Sequence, residues 1–588
     1  MPLLRPDLSE FPAYQRPPEP AEGLRLHMNE APADWPEAAR EALLARLGKL
    51  PFHHYPERQG ELTERLRRRL GAPEGGVLLG PSSGALLDLV AMAGLSPGDQ
   101  VAFPEPGFSL YPLLVRRHGG RLRPIPVGTG FPLEPWFEAL DCRQLWLTLP
   151  NNPTGAWLSP EVMEPLLEAA ATRPDPPLVI LDEAYAEFAR ATHRLAVDRY
   201  PNLLLLRTFS KALASAAWRL GYLLGDPALV AKLASLQLPY SIPAASLEAL
   251  DVALDHAGAF EAAVRALPER RDRLAASLDG YPSVRSEGNY LQVSPDPTGL
   301  LAEAGIKVRA LPGADAARIT LGTEAATARV AQVLGATLPP PRSRKRRRLL
   351  VLDIDGVLID ADRSFMEAVR RALAELRPTL PWSDEAFRAF KRLGGFNNDF
   401  RLTAGAVALA DAHGSVDLTP LLETATADAL NSHSPQIQRL ESIVQPVVQR
   451  HYADTLALER PLISLPELNA TGWDLAVLTG RPPDELVLAW RVLGFSLPAV
   501  CDAAPHLRKP EPGGLLQLAD AFRAEEILFA GDTVDDGACL RAAAALRPEL
   551  TWRFAALGPD RGRFAAPADV QSATLRDLLP MLYEETAP

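Results

Sequence analysis

The sequence predicts an α/β protein built on two separate sheets, and three observations carry that expectation. Short apolar runs alternate with amphipathic stretches on both sides of residue 340: Leu145 to Leu149, Leu178 to Leu181 and Leu203 to Leu206 before it, Leu349 to Leu352, Leu475 to Leu478 and Ile527 to Ala530 after it. Between the two series, Leu338 and three prolines are followed by the basic run Arg342 to Arg348, which reads as a solvated interdomain linker. The chain of 588 residues is also longer than one hydrophobic core organises, so several compact units are expected. In sheets of this kind ligands gather beyond the carboxyl ends of the strands, so the residues just after each run are where chemistry is to be sought.

Composition narrows the class. Hydrophobic residues at 47% and charged residues at 23% have the balance of a soluble globular protein and not of a disordered or membrane chain, so a folded enzyme is expected. The three cysteines, Cys142, Cys501 and Cys539, lack metal-type spacing and are too few for a disulfide framework, so a reducing cytoplasm is the expected location. The N-terminal stretch has no apolar core of signal-peptide length, and no run of about eighteen apolar residues occurs, so no membrane association is expected. A net charge of −12 gives no general reason to expect nucleic acid as a partner. None of the ten histidines falls in a ligand spacing, and each reads as structural.

In the first part, polar residues follow the apolar runs in a regular order. Asn152 lies in Pro-Asn-Asn-Pro-Thr-Gly, Asp182 opens Asp-Glu-Ala-Tyr185, Lys211 follows Ser210, and Arg219 comes eight residues later; Asn152, Asp182 and Lys211 stand at intervals of 30 and 29. These are the pieces that pyridoxal phosphate needs. A lysine forms the Schiff base, a buried carboxylate keeps the pyridine nitrogen protonated, and hydroxyl and cationic groups hold the phosphate.

With Leu-His-Met-Asn29-Glu30, His-Tyr55-Pro-Glu, Phe108 and Tyr111, Ser-Glu-Gly-Asn-Tyr, Gly-Ile-Lys-Val-Arg and Ala-Arg-Ile-Thr-Leu-Gly-Thr, the sequence over roughly residues 20 to 337 resembles the fold-type I aminotransferases, and within them the histidinol-phosphate aminotransferases. The resemblance implies a pyridoxal-phosphate-dependent transferase fold: a large mixed-sheet domain of about residues 51–244 and a small subdomain of about 1–50 and 245–337. It makes Lys211 the Schiff-base lysine and proton carrier, Asp182 the pyridine partner, and Asn152 with Tyr185 the partners of the phenolic oxygen. Phe108 would stack on the ring, and Ser210, Arg219, Ser82 and Ser83 would bind the cofactor phosphate. Tyr55 would reach that phosphate from a second subunit of a homodimer formed through residues 1–337. Arg318 and Arg309 would hold the anionic ends of glutamate and of a phosphorylated imidazole compound. The phosphate loop departs from the family at Pro81, which has no N–H to offer; Ser82 and Ser83 are kept as phosphate ligands, with helix capping as the alternative reading. Aromatic aminotransferases and phosphothreonine decarboxylases share this machinery, and the core motifs do not separate them.

In the second part, the strand Leu349 to Leu352 runs into Asp353-Ile-Asp355-Gly356. Two carboxylates two residues apart at a strand end point to one side, which suits a nucleophile and a general acid/base sharing a magnesium ion and a phosphoryl group, although Asp-Gly is also common in turns. Thr479, Lys509, and Gly531-Asp532 followed by Asp535 and Asp536 then come after later strands in order. Over about residues 347 to 588 this set is similar to haloacid-dehalogenase (HAD) phosphatases, which implies a Rossmann-like α/β domain. By that resemblance Asp353 is the nucleophile and Asp355 the acid/base; Thr479 and Lys509 stabilise the phosphoryl group; and Asp353, Asp355, Asp532 and Asp536 hold Mg2+, with Asp535 set aside by its spacing. The roughly 115 residues between the first two motifs exceed any loop and read as a helical cap over about 362–470, including a polar segment, Leu393 to Phe400, that could close over substrate or simply connect helices. The expected organisation is thus an aminotransferase over 1–337, a linker over 338–348 and a phosphatase over 349–588. Its expected function is bifunctional: transamination giving histidinol phosphate, then hydrolysis of that ester. The alternative joins a different aminotransferase, or a decarboxylase, to a phosphatase for an unrelated ester.

Overall fold

The computed structural model describes residues 23–341, 346–393, 396, 399–424, 434–558 and 568–584. The N-terminal stretch to residue 22, residues 342–345 of the basic run and Asn397 and Asn398 of the polar segment lie outside the described residues. The chain forms two compact units that divide between Lys345 and Arg346, with Arg68–Gly71 grouped apart from the rest of the first part.

The first unit is organised by a seven-stranded sheet made of β1 (Val77–Gly80), β2 (Gln100–Glu105), β3 (Arg121–Pro126), β4 (Gln144–Thr148), β5 (Leu178–Asp182), β6 (Leu203–Thr208) and β7 (Gly221–Gly225). Their order is β1-β7-β6-β5-β4-β2-β3, with β7 antiparallel to both neighbours and the other pairings parallel. Helices cover this sheet, so its central strands are apolar without alternation: β4 and β6 are buried along their whole length. A smaller antiparallel sheet follows, β8 (Tyr290–Val293), β9 (Arg309–Ala310) and β10 (Ala317–Thr320), in the order β9-β10-β8. Its core gathers Leu26, Leu274, Leu291, Ile306 and Ile319, and Tyr185, three residues beyond β5, joins it.

The second unit carries a six-stranded parallel sheet, β11 (Arg348–Leu352), β12 (Asp474–Leu478), β13 (Ala499–Val500), β14 (Glu526–Gly531), β15 (Thr551–Leu557) and β16 (Val570–Ser572), in the order β13-β12-β11-β14-β15-β16. Leu350, Leu352, Leu528 and Ala530 are fully buried; truncating either of the two β11 leucines to alanine would cost about 2–5 kcal/mol. Between β11 and β12 the chain makes a helical excursion, Asp362–Leu376 to Ser434–Thr455, with its own core around Phe387, Phe390 and Leu402. It returns through Arg460–Pro461, paired antiparallel with Ile359–Asp360. The helix Leu465–Asn469, which the sequence places in the cap, instead sends Leu468 into the core of the main sheet. The basic run also differs from a purely solvated linker. Arg348 begins β11 and lies over the Trp473 ring at 5.4 Å, and the carbonyl of Arg347 accepts the Glu525 and Glu526 amides at 2.9 and 3.2 Å.

Candidate active sites

In the first unit, the ends of β4, β5 and β6 bring Asn152, Asp182 and Lys211 to one side of the sheet. Lys211 Nζ donates to the Met28 carbonyl at 2.9 Å. Burial, reinforced by the Arg318 charge, lowers its pKa to about 8. Asp182 accepts from the Tyr111 hydroxyl at 2.9 Å and from the Ala184 amide at 3.2 Å, yet burial still pushes its carboxyl up to about 6. The next residue goes the other way: Glu183 is equally buried, but Arg207 at 2.8 Å and His193 at 2.9 Å outweigh that burial and hold it below the usual range. Glu183 is therefore a structural ion partner. Asp182, with no cation against it among the described residues, suits a protonated ring nitrogen.

The Tyr185 hydroxyl accepts from Asn29 at 3.1 Å and from Asn152 at 3.4 Å. Arg318 donates to Asn152 Oδ1 and to the His27 carbonyl, and it stands directly opposite Arg309 in the β9–β10 register. Thr320 completes the group by donating to Asn29 Oδ1 at 2.9 Å. Asn29, Tyr111 and Thr148, whose hydroxyl lies 2.6 Å from that of Tyr111, were not among the residues assigned roles from sequence. The motifs around Asn29 and Tyr111 were a signal for two of them; Thr148 had none.

The phosphate side is set by strand register. Gly80 and Thr208 both pair with Gly221, and a Cβ on Gly221 would fall 2.4 Å from the Ser83 amide nitrogen. Glycine is thus required where the loop crosses the strand. Ser82 is the N-cap of the helix Ser83–Gly94, its Oγ accepting the Ala85 amide at 3.1 Å. The capping reading therefore holds for Ser82, though a hydroxyl that accepts this bond still has its own proton to donate. The Ser83 and Gly84 amides have no acceptor among the described residues, and Pro81 precedes the cap, so its missing N–H is not one of the helix's first-turn donors. Ser210 Oγ accepts from Thr208 at 3.0 Å, and Arg219, in the left-handed region at φ 51°, donates to the Ala216 carbonyl at 3.1 Å. Paired serines, helix-start amides and a guanidinium fit a phosphate. Phe108 is half-buried, edge-on to Tyr111 at 5.5 Å. Tyr55 is 73% exposed, stacks on Tyr240 at 4.5 Å, and lines a cavity of about 200 Å3 with His54, Arg58 and Leu247, none of which belongs to the Lys211 cluster.

In the second unit, Asp353 follows β11, Thr479 follows β12 and Asp532 follows β14. Lys509 Nζ lies 2.8 Å from Asp353 and 2.6 Å from Asp536. One oxygen from each of Asp353, Asp532 and Asp536 lies within 4.8 Å of the others. Three carboxylates face one ammonium, and Asp532 Oδ1 is buried with no hydrogen-bond partner among the described residues. That donor set fits a divalent cation with a preference for oxygen. Burial and the neighbouring carboxylates raise the Asp353 and Asp532 pKa values, a shift a bound cation would reverse. Gly356 sits at φ +73°, and a Cβ there would lie 2.2 Å from Asp532 Oδ2, so both conformation and space demand glycine. Thr533 and Asp536 form a capping box at the start of Val534–Leu546, which fixes the Asp536 carboxylate; Asp535 is not in the three-carboxylate group.

Asp355 departs from the expected ligand set. Its carboxylate is not in the cluster but is gripped by Arg481, whose Nε lies 3.1 and 3.2 Å from the two oxygens, a fit between two oxygens and a planar fork that competes with the metal. Arg481 also donates to the Tyr452 hydroxyl at 2.8 Å and to Glu459 at 3.0 Å. The fully buried Thr479 hydroxyl accepts the Arg481 amide at 3.2 Å. The adjacent Thr-Gly-Arg was legible in sequence, but nothing marked Glu459 or Tyr452.

Residues 21–334 match the family described as aminotransferase class I and II. The chain belongs to this family. Residues 348–544 match the haloacid dehalogenase-like hydrolases, so the aminotransferase carries a second enzyme domain of that class. Similar curated proteins are the histidinol-phosphate aminotransferases of Gloeobacter violaceus, 36% identical over 55% of this chain and 94% of that protein, and of Synechococcus sp. (strain JA-3-3Ab), 35% identical over 54% and 94%. Histidinol-phosphate aminotransferase 2 of Nitrosococcus oceani is 31% identical over 54% of this chain and 93% of its own length. The aminotransferase is pyridoxal-phosphate-dependent, and Mg2+ is the ion that HAD hydrolases use. Among the described residues no helix is long and apolar enough to cross a membrane.

Proposed function

We propose that the aminotransferase, residues 1–337, and the hydrolase, residues 349–588, catalyse consecutive reactions. Glutamate and imidazole acetol phosphate give 2-oxoglutarate and histidinol phosphate; water and histidinol phosphate then give histidinol and inorganic phosphate. One observation carries the reading. An aminotransferase whose relatives are named for histidinol phosphate, a phosphate monoester, shares its chain with a carboxylate site of the kind that cleaves such esters.

Pyridoxal phosphate, when bound, supplies the electron sink of the first reaction. Lys211 carries the proton between carbon centres, and its lowered pKa leaves part of the amine neutral near neutral pH. Asp182 would face the ring nitrogen, Asn152 and Tyr185 the phenolic oxygen, Phe108 the ring, and Ser82, Ser83, Ser210 and Arg219 the phosphate. Arg318 and Arg309, opposite one another, offer guanidinium groups to a carboxylate or a phosphate ester.

In the second reaction an Asp353 oxygen attacks phosphorus; the new O–P bond forms as the ester P–O bond breaks, and Asp355 gives its proton to the leaving oxygen. Asp355 then takes a proton from water, whose oxygen displaces Asp353 from phosphorus and releases phosphate. Thr479 and Lys509 stabilise the phosphoryl oxygens. Mg2+ held by Asp353, Asp532 and Asp536 would offset their charge.

A homodimer fits the exposure of Phe52 at 87%, Tyr55 at 73% and Tyr240 at 56%, an apolar patch that a second copy would cover while Tyr55 reaches its cofactor phosphate. Three cysteines that form no disulfide among the described residues accord with the cytoplasm. The test is phosphate release with Mg2+ from histidinol phosphate against a panel of monoesters, in the wild-type chain and in Asp353→Asn. Preference for histidinol phosphate and a dead variant are expected; intact histidinol phosphate beside rapid hydrolysis of other esters would overturn the reading.

A further inference from the structure

The cleft holding Asp353 and Asp355 extends to the cap; Lys391, Asp399 and Phe400 of the cap line it, as does Glu485 from the helix that follows β12. Its charges are otherwise paired: Lys391 lies 2.9 Å from Asp399, and Arg481 holds Asp355 and Glu459. Glu485 is the exception. It is only 8% exposed, and its carboxyl accepts no hydrogen bond and forms no ion pair among the described residues.

Nor does Glu485 serve its helix. It is the third residue of Pro483–Leu493, where a glutamate ordinarily reaches back to the N–H of the capping residue. That residue here is Pro482, which has no N–H. Burial, then the Asp399 charge, pushes the Glu485 carboxyl up to about 8. A cation placed beside it would relieve both effects, and the ring of Phe400 in the same cleft favours a cationic or flat group.

We infer that Glu485 determines the specificity of the hydrolase site by receiving a protonated nitrogen on the alcohol part of the substrate, so that ammonium-bearing phosphate monoesters are selected over neutral or anionic ones. The inference rests on the second unit being a phosphate monoester hydrolase; histidinol phosphate is one member of the class it names.

The experiment is kcat/KM with Mg2+ for histidinol phosphate, phosphoethanolamine, glycerol phosphate and phosphoglycolate, using the full chain and Glu485→Gln. The two ammonium-bearing esters should be preferred by about 10- to 100-fold, the size of one charge-assisted hydrogen bond, and that ratio should collapse in the variant through their KM. Equal use of all four esters by the wild type, a preference retained in Glu485→Gln, or a parallel loss on all four would each overturn the inference. If phosphoethanolamine is preferred and histidinol phosphate is not, the charge-class inference stands and the histidinol phosphate reading falls. If histidinol phosphate is preferred and Glu485→Gln leaves the ratio intact, the reverse holds.

Discussion

Each unit buries one lysine in its active site, and the two are tuned in opposite directions. Around Lys211 the nearby charges are largely cationic, Arg318 and Arg219 against Glu30, so burial goes uncorrected and the amine's pKa falls to about 8. Around Lys509, Asp353 and Asp536 lie within 2.8 Å and override the effect of burial, raising its pKa. Desolvation alone would depress both; the neighbours decide which lysine stays an ammonium. The difference suits the roles proposed for them: an amine that is to bond to carbon and carry protons has to be neutral at times, whereas one that is to steady a phosphoryl group has to remain charged.

The contrast is broken most directly by removing each site's reacting group. Lys211→Ala should lower transamination by about 1,000-fold or more and leave phosphate release intact, and Asp353→Asn should do the converse. Assaying both activities in both variants checks this, and any crossed loss would mean that the sites are not independent. Stability should separate the lysines by sign. In apoprotein with EDTA, Lys509→Met leaves two buried carboxylates unpaired and should cost about 3–5 kcal/mol in urea denaturation. Lys211→Met removes a charge that the fold disfavours and should gain up to about 3 kcal/mol at pH 7. The folded pKa of Lys211 lies below the ordinary value, so this penalty is present in full below pH 8 and fades toward pH 10.5; the gap to Lys211→Met should close over that window. Mg2+ at a hundred times its dissociation constant should stabilise the second unit by about 2.7 kcal/mol and leave the first unmoved, with the effect lost in Asp532→Ala. The smallest effect is kinetic. The rate at which apoprotein captures pyridoxal phosphate, followed by absorbance, should fall about tenfold per pH unit below 8, as the neutral amine disappears.

What the sequence determined by itself is the two sheets and the residues that sit where strands end. β4, β5, β6, β11, β12 and β14 are apolar without alternation because helices and cap elements leave their central positions no water, and that makes such strands conspicuous. Asn152, Asp182, Lys211, Asp353, Thr479 and Asp532 were legible for the same reason, each ending a strand or lying a few residues beyond its end. Only the tertiary structure decided who faces whom. Asn29 and Thr320 bond across 291 positions, and Arg481 meets Glu459 and Tyr452 through the return of the cap, contacts that leave no period or spacing in the chain. Asp355 shows the limit most plainly: two residues from Asp353, its type suits a metal ligand and a proton carrier equally, and the partner it meets is a guanidinium 126 residues away, a charge positioned by folding and not by spacing in the chain.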